Sequence, residues 1–220
     1  MRILVVGAHP DDEVIGCGGT IAKYISQGHD VYVFILTQAY YSKERGWDEN
    51  YYKRQIEWQK QVDEFLHIKE RVRRIYPTIH LNMIPHGEIA TDIQKEVERI
   101  KPDIVFTHYE GDLNMDHVIV SKATQVACRP EPQKGGFKWK IKLLCYEIIG
   151  NTPNSFNPNY YEILSKNSIK AKITALSFYQ SEAIKPRHHK DKIDRLAKKR
   201  ADEILVNYAE AFYIIREVNS

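Results

Sequence analysis

Cysteine is scarce in this sequence, and long apolar runs are missing. The 220 residues contain three cysteines, Cys17, Cys128 and Cys145, which lie far apart in the chain. Three scattered thiols cannot build a disulfide framework or a cysteine-rich zinc finger, and their scarcity favours a reducing compartment. No apolar run approaches the ~20 residues of a membrane-spanning helix. We therefore expect a cytoplasmic protein whose core forms without covalent cross-links.

The sequence also lacks a large excess of charge of one sign. It has 32 Lys and Arg against 29 Asp and Glu, a formal net charge of +3. This excess is too small to indicate nucleic-acid binding. The most basic stretch, residues 185–200, carries apolar residues at helical spacing, which predicts a solvated helix face. The N-terminal apolar run of six residues meets charged residues at once, so it is typical of a buried strand and not of a secretory signal.

Apolar runs alternate with helical patterns along the chain. Strands are predicted at residues 2–7, 31–37, 104–109 and 142–149, and helices at 20–27, 51–66 and 91–100. Thr91 is the expected N-cap of the last of these helices, which Pro102 ends. The pattern predicts one domain over residues 1–220, of the α/β class. We expect a Rossmann-like, mostly parallel sheet with helices on both faces.

The string Ala-His-Pro-Asp-Asp-Glu at residues 8–13 follows the first predicted strand and precedes a helix. The acids alone suit a helix N-terminus, but that interpretation leaves His9 unexplained. His9 and Asp12 are three residues apart and can face one point, while Asp11 is rotated away by roughly 100° on a helical period. One aspartate can therefore bind a metal ion while its neighbour faces a metal-bound water.

A second group of potential metal ligands, residues 108–117, follows the third predicted strand. Either His108 or His117 can complete a set of two histidines and one carboxylate. Three protein ligands and an open position are typical of catalytic zinc, which lowers the pKa of its bound water to about 7. The same set suits iron(II). An ordinary histidine at a strand or helix end is the alternative for each, but two clusters after two strands favour a shared site.

These motifs resemble the PIG-L/LmbE family of metal-dependent de-N-acetylases, which act on N-acetylated amino sugars and related amides. The resemblance is carried by residues 8–24 and 101–120, by Arg54 and Glu57, and by residues 172–182 and 209–212. A His-Pro-Asp-Asp run after a strand, with Asp-His about one hundred residues later, is a specific pattern.

The resemblance implies a residue assignment for the site. His9, Asp12 and His117 would bind the zinc ion, and Asp11 would act as the general base that takes a proton from the metal-bound water. Asp116 would orient an imidazole or a substrate hydroxyl, with an ordinary surface acid as the alternative.

The sequence departs from the common family pattern at Asn114, where many relatives have histidine. Asparagine can donate a hydrogen bond to an oxyanion but cannot deliver a proton. We expect His188, beside His189, to act as the general acid, since many relatives have a histidine there. Asp11 could instead return the proton that it took, and the tandem histidines could be an exposed polar loop.

Two further residues are candidates for substrate binding. Arg54 matches a family arginine that reaches the site, although a helical ion pair with Glu57 explains it nearly as well. Tyr40 belongs to an aromatic loop that could stack on a sugar or form a small satellite core. The glycines at residues 16–19 do not match the dinucleotide fingerprint, and we expect them to let a helix pack close to the sheet.

These features together predict a zinc-dependent hydrolase that removes an N-acetyl group from a small amino sugar or sugar conjugate. A metal-dependent phosphoester hydrolase is one alternative, but it would need two metal ions and more bridging carboxylates. A non-catalytic sugar- or nucleotide-binding α/β protein is another. The sequence predicts neither a nucleic-acid partner nor a membrane span. It leaves open the acetylated substrate and the oligomeric state, for which a homo-oligomer is one option.

Overall fold

The computed structural model describes residues 1–38, 41–42, 46–130, 140–153, 155–186 and 190–218. The strands are β1 (Arg2–Gly7), β2 (Asp30–Thr37), β3 (Tyr41–Ser42), β4 (Gly46–Trp47), β5 (Glu70–Tyr76), β6 (Ile104–His108), β7 (Lys142–Tyr146), β8 (Tyr160–Ile163) and β9 (Ala209–Arg216). The helices are α1 (Asp12–Ser26), α2 (Glu49–Leu66), α3 (His86–Ile100), α4 (Met115–Ala127), α5 (Lys166–Phe178), α6 (Gln180–Ala183) and α7 (Lys190–Asp202). Among the described residues, no helix is both long enough and apolar enough to cross a bilayer.

Seven strands form one sheet in the order β5-β2-β1-β6-β7-β9-β8, and β3 and β4 form a separate antiparallel ribbon. The five strands from β5 to β7 are parallel. Strand β9 runs antiparallel to both of its neighbours. The predicted α/β fold with a mostly parallel sheet is confirmed. The strand order reverses between β1 and β6, which is where open sheets of this class bind ligands.

Strand β1 shows how both faces of the sheet are covered. Ile3 and Val5 pack into a cluster with residues of α1 and α5. Leu4 and Val6 pack into a second cluster, with residues of α3 and α4. Successive side chains of a strand point to opposite faces, so a continuous apolar run is what a strand buried on both sides requires.

Several element boundaries differ from the sequence prediction. Helix α3 begins at His86 after Pro85, so the prediction of Thr91 as its N-cap was wrong. Thr91 lies inside the helix, where its hydroxyl donates to the carbonyl of Gly87 at 2.7 Å. Helix α1 begins at Asp12, earlier than predicted. The prediction began the helix too late because glycines, which are poor helix formers, occupy this part of the sequence. Tertiary packing makes the segment helical nevertheless.

Helix α1 lies very close to the sheet. A Cβ atom at Gly16 would lie 2.2 Å from the ring of Tyr146 on β7, and one at Gly19 would lie 2.6 Å from Leu164. Only glycine allows the helix backbone to approach the sheet this closely. The glycines thus serve the packing role that the sequence analysis predicts.

The same helix is interrupted at Cys17, whose φ of −142° is not helical. Beyond the interruption, the backbone N–H groups of Gly19 and Thr20 donate to the carboxylate of Glu210 on β9 at 3.0 and 2.7 Å. Lys172 of α5 donates to the same carboxylate at 2.6 Å. A buried carboxylate from the C-terminal strand therefore serves the second half of α1 as a helix cap.

Candidate metal centre and active site

Two stretches of the chain meet where the neighbouring strands β1 and β6 end. His9, Asp11 and Asp12 follow β1, and Asp12 begins α1. Asn114 and His117 follow β6, at the start of α4. Because β1 and β6 are parallel, their carboxyl ends lie at the same edge of the sheet, and residues more than one hundred positions apart come into contact.

Donor atoms of three residues converge at this edge. Nε2 of His117 lies 3.2 Å from Nδ1 of His9 and 3.4 Å from Oδ1 of Asp12. Nδ1 of His9 lies 3.4 Å from Oδ2 of Asp12. Ligand atoms at ~2.1 Å from a tetrahedral zinc ion are separated by about 3.4 Å. These separations are close to that value, although the two contacts to Asp12 end on different carboxylate oxygens. One ligand atom from each residue can be chosen so that all three lie within 4.8 Å of one another, and the three residues, here called the donor triangle, can therefore hold a metal ion.

A carboxylate faces the outer nitrogen of each imidazole. Nε2 of His9 lies 2.9 Å from Oδ2 of Asp116, and Nδ1 of His117 lies 3.2 Å from Oδ1 of Asp112. A carboxylate in this position holds a proton on the outer nitrogen and leaves the lone pair of the inner nitrogen facing the other ligands. Two such lone pairs at 3.2 Å repel each other unless a proton or a metal ion lies between them. The donor set therefore fits a divalent cation.

The charges around the triangle favour a cation. Burial disfavours the charged form of His9, but hydrogen bonds to Asp116 and Asp12 raise its pKa to about 9. Burial also opposes ionisation of Asp12, yet the neighbouring His117 and His108 hold its pKa well below the usual range. A metal ion that binds here competes with the proton on His9.

His108, the alternative third ligand, lies outside the triangle. Its ring is fully buried and stacks on His117, with the ring centroids 4.0 Å apart. Its Nε2 lies 3.0 Å from the backbone nitrogen of Ala8 and 3.2 Å from Oδ2 of Asp12. Burial and the adjacent His117 lower the pKa of His108 to about 4. His108 is therefore a neutral residue that packs against two of the candidate ligands.

Asp11 has an unusual backbone conformation, with φ of 114°. Residues other than glycine rarely adopt this region, and where they do, surrounding contacts must hold them. The N–H of Asp11 donates to the carboxylate of Glu13 at 3.1 Å. That carboxylate accepts hydrogen bonds from Arg71 at 3.0 Å and from Tyr179 at 2.6 Å. A buried polar network thus fixes the turn that carries Asp11.

Asp11 lines a pocket together with the three residues of the donor triangle, and it is not itself one of those three residues. Burial raises the pKa of Asp11 well above its usual range. The negative charges of Glu182, Asp12 and Glu13 act in the same direction, and Lys185 acts against them. A carboxylate whose proton affinity is increased in this way is a more effective general base.

The pocket has a volume of about 190 Å³. Its lining consists of His9, Pro10, Asp11, Asp12, Ile15, Tyr51, Gln55, Thr78, Ile79, Asn114, His117, Ile148, Asn151, Glu182 and Lys185. Gln55, Thr78, Ile79 and Asn151 give no signal in the sequence, and the pattern around Lys185 predicts only a solvated helix face. Thr78 and Ile79 follow β5, a strand that the apolar pattern does not reveal. Glu182 is the last residue of the stretch 172–182, which takes part in the family resemblance. That resemblance was the signal that could have indicated Glu182 as a site residue.

Hydrogen bonds to the backbone hold the side chains of Asn114 and Asp116 beside the donor triangle. Asn114 is the N-cap of α4, and its Oδ1 accepts the N–H of Asp116 at 2.9 Å. Because the cap uses the amide oxygen, the NH₂ group is the part of Asn114 left for the pocket. Asp116 is buried, and its carboxylate bridges Nε2 of His9 and the backbone N–H of Ile79, the latter at 2.7 Å.

Three predicted residues lie away from this arrangement or outside the described part of the chain. Arg54 is exposed on α2 and does not line the pocket. Its guanidinium carbon lies 5.7 Å from the ring centroid of Tyr51, which does line it. Tyr40 and His188, with His189, fall outside the described residues. Their roles remain predictions.

Comparison with known proteins gives relatives along most of the chain. The chain is 28% identical over 190 residues to the "Uncharacterized deacetylase YaiS" of Escherichia coli K12, covering 81% of this chain and 90% of that protein. The structure of N,N'-diacetylchitobiose deacetylase from Pyrococcus horikoshii matches with a TM-score of 0.75 and 20% identity, over 97% of this chain and 83% of that one. GalB, the 4-carboxy-2-hydroxymuconate hydratase of Pseudomonas putida KT2440, matches with a TM-score of 0.74 and 19% identity, over 100% and 98%. These two structures share the fold with this chain, and their activities differ.

The defining sequence pattern of one family matches residues 4–128. This segment is more than half of the chain, and it contains both stretches that form the donor triangle. The family is described as PIG-L, GlcNAc-PI de-N-acetylase. This chain belongs to the PIG-L family of de-N-acetylases.

Proposed function

We propose that this protein is a zinc-dependent hydrolase that removes the N-acetyl group from an amino sugar or sugar conjugate and releases acetate and a free amine. One observation carries the proposal: the three residues of the donor triangle, His9, Asp12 and His117, line a pocket that Asp11 also lines. A water activated at the metal needs a nearby base, and this arrangement provides one.

His9, Asp12 and His117 would hold the zinc ion, which supplies a Lewis acid for the amide carbonyl and acidifies a bound water. Asp11 would be the general base for a water held there. Its buried setting raises its pKa and so increases its affinity for the proton. Asp116 and Asp112 orient the two imidazoles through their outer nitrogens. Iron(II) is the second candidate for the same donor set.

Asn114 stabilises the negative charge that develops on the carbonyl oxygen during attack. Its NH₂ group is a donor held at the pocket by the N-cap interaction of its own oxygen. Such donors stabilise an oxyanion more than the neutral carbonyl that precedes it. Asparagine has no proton to give to the leaving amine, so Asp11 returns the proton that it accepted, or His188 supplies one.

The walls of the pocket suit the polar part of a sugar. Gln55, Thr78 and Asn151 provide uncharged groups that can exchange hydrogen bonds with hydroxyls. The pocket of about 190 Å³ accommodates an acetamide and part of a ring, so the rest of a conjugate would extend into solvent. The cysteines are free and buried, which agrees with the proposed cytoplasmic location.

The structure gives less support to a two-metal phosphoester hydrolase. Such enzymes hold two metal ions about 3.5–4 Å apart with bridging carboxylates. In the parts of the chain that the structure describes, His9, Asp12 and His117 are the one group with the spacing of metal ligands. A non-catalytic sugar-binding protein remains the alternative that an activity assay must test.

The deciding experiment measures acetate release from a panel of N-acetylated amino sugars and their conjugates. The protein is stripped with a chelator and then given one equivalent of zinc or, under anaerobic conditions, iron(II). We expect release that chelation abolishes and one equivalent of metal restores, with His117→Ala as the matched inactive control. Tight binding of one zinc ion without acetate release from any sugar would favour the binding protein. Phosphate release from phosphoesters would favour the other alternative.

A further inference from the structure

Ile79 has a backbone conformation that β-branched residues avoid. Its φ is 68°, in the left-handed region where the Cβ atom crowds the backbone. Its side chain is nevertheless 65% exposed, so burial does not compensate for this strain. Strained residues that the surrounding structure holds in place cluster at functional sites. Ile79 fits that pattern, because it lines the pocket beside the donor triangle.

The position of Ile79 is fixed by the group that orients a candidate metal ligand. Oδ2 of Asp116 accepts the N–H of Ile79 at 2.7 Å and lies 2.9 Å from Nε2 of His9. Oδ1 of Asp116 accepts the N–H of Leu81, which is fully buried, at 3.1 Å. The Ile79 side chain is therefore presented at a set place relative to the metal ligands.

The depth of Ile79 in the pocket indicates which part of a substrate it meets. Two other isoleucines line the pocket, Ile15 and Ile148, and both are almost fully buried. Because these two are buried and Ile79 is exposed, we take them to lie deeper in the pocket, where they offer apolar surface to the methyl group of an acetamide. Ile79 stands at the exposed rim, where the part of the substrate beyond the amide nitrogen must pass.

We propose that Ile79 is a specificity-determining residue, whose side chain packs against the apolar C–H face of the saturated ring that carries the amide nitrogen. This inference rests on the proposed deacetylase function. It adds the residue that would favour an N-acetyl group attached directly to a ring over one attached to a flexible open chain. Contact with the ring removes apolar surface of both partners from water and orients the amide above the donor triangle.

Ile79→Gly tests the inference with little risk to the fold. The substitution removes the side chain, relieves the strained φ and keeps the N–H that Asp116 accepts. Leu205→Gly is the matched control, because Leu205 also has a positive φ, 59°, is 93% exposed and does not line the pocket. We expect neither variant to lower the melting temperature.

The readout compares two substrates of the zinc-loaded protein: an N-acetylated amino sugar and N-acetylethanolamine, which has no ring. Ile79→Gly should lower kcat/KM for the sugar about tenfold, mainly through KM, and leave the value for N-acetylethanolamine unchanged. Leu205→Gly should change neither value. An unchanged ratio between the two substrates in Ile79→Gly would overturn the role of Ile79 while the deacetylase activity stands. If the wild type released acetate from neither substrate, both the activity and this inference would fall.

Discussion

The guanidinium group of Arg71 lies 3.0 Å from the carboxylate of Glu13, and both side chains are buried. Arg71 stands on the edge strand β5, and Glu13 lies in the first turn of α1, two residues after Asp11. The guanidinium also lies 2.7 Å from the carboxylate of Asp63 on α2. This ion pair therefore connects the turn that carries the proposed base to the edge of the sheet.

Replacing Arg71 tests the importance of that connection. Arg71→Met leaves the carboxylate of Glu13 buried without a cation, and we expect a loss of about 3–5 kcal/mol in the free energy of unfolding, measured with urea. Arg99→Met is the control, because Arg99 pairs with Glu70 on the surface and such pairs contribute less than about 1 kcal/mol. Equal losses in the two variants would contradict a special role for the buried pair.

Asp11 and His117 should separate catalysis from metal binding. Asp11→Asn keeps the shape of the side chain and tolerates a positive φ, but it removes the base. We expect this variant to retain one equivalent of metal and to lose about 10²–10⁴-fold in turnover. His117→Ala should lose both the metal and the activity, as measured by elemental analysis and acetate release. Full turnover by Asp11→Asn would refute the assignment of the base.

Asn114→Asp tests the proposed oxyanion donor without removing the helix cap. An aspartate can still accept the N–H of Asp116, so we expect α4 and the melting temperature to be preserved. An ionised carboxylate cannot donate a hydrogen bond, and kcat should fall by about 10²–10³-fold. The opposite pattern, lost stability with retained kcat, would show that Asn114 serves only as a cap.

Glu162 provides a test of stability against pH. Burial opposes its ionisation, but hydrogen bonds from Lys23, Tyr24 and Tyr160 lower its pKa below the ordinary value of 4.5. The unfolded state therefore binds a proton at a higher pH than the folded state does. The resulting stabilisation is fully present above pH 4.5 and is lost as the pH falls towards the folded-state pKa.

Glu162→Gln should accordingly flatten the acid side of the stability profile. The measurement is urea unfolding of both proteins at a series of pH values from neutral to below 4.5. Near neutral pH the variant should be the less stable of the two, and the difference should shrink as the solution becomes more acidic. A difference that stays constant over this range would contradict the lowered pKa.

The sequence predicts the strands that are buried on both faces. Strands β1, β2 and β6 are largely continuous apolar runs, because both of their faces are covered, and the candidate metal ligands come after β1 and β6. Strand β5 is not predicted, since four of its seven residues are charged. One of those charges is Arg71, which the structure places in a buried ion pair, and a pairing between distant residues leaves no periodic signal.

The candidate site shows the same division. His9 and Asp12 come soon after β1, and their types and spacing predict that they share a site with a histidine from residues 108–117. The choice of His117 over His108 came from the family resemblance and not from the spacing. Ile79 gives no signal, because its positive φ is imposed by a hydrogen bond to Asp116 and cannot be read from an isoleucine in the sequence. The residue pattern therefore does not reveal contacts that arise only from tertiary structure.

The cap that Glu210 provides to α1 has a consequence for excised segments of this chain. The family match ends at residue 128, and some of the contacts that hold α1, those with Tyr146 and with Glu210 and its partner Lys172, come from beyond that point. A fragment ending at residue 128 would contain every proposed metal ligand and yet lack these groups, which support the ligand-bearing helix. We therefore expect the matched N-terminal part not to be an autonomous folding unit, and its metal affinity to depend on residues 129–220.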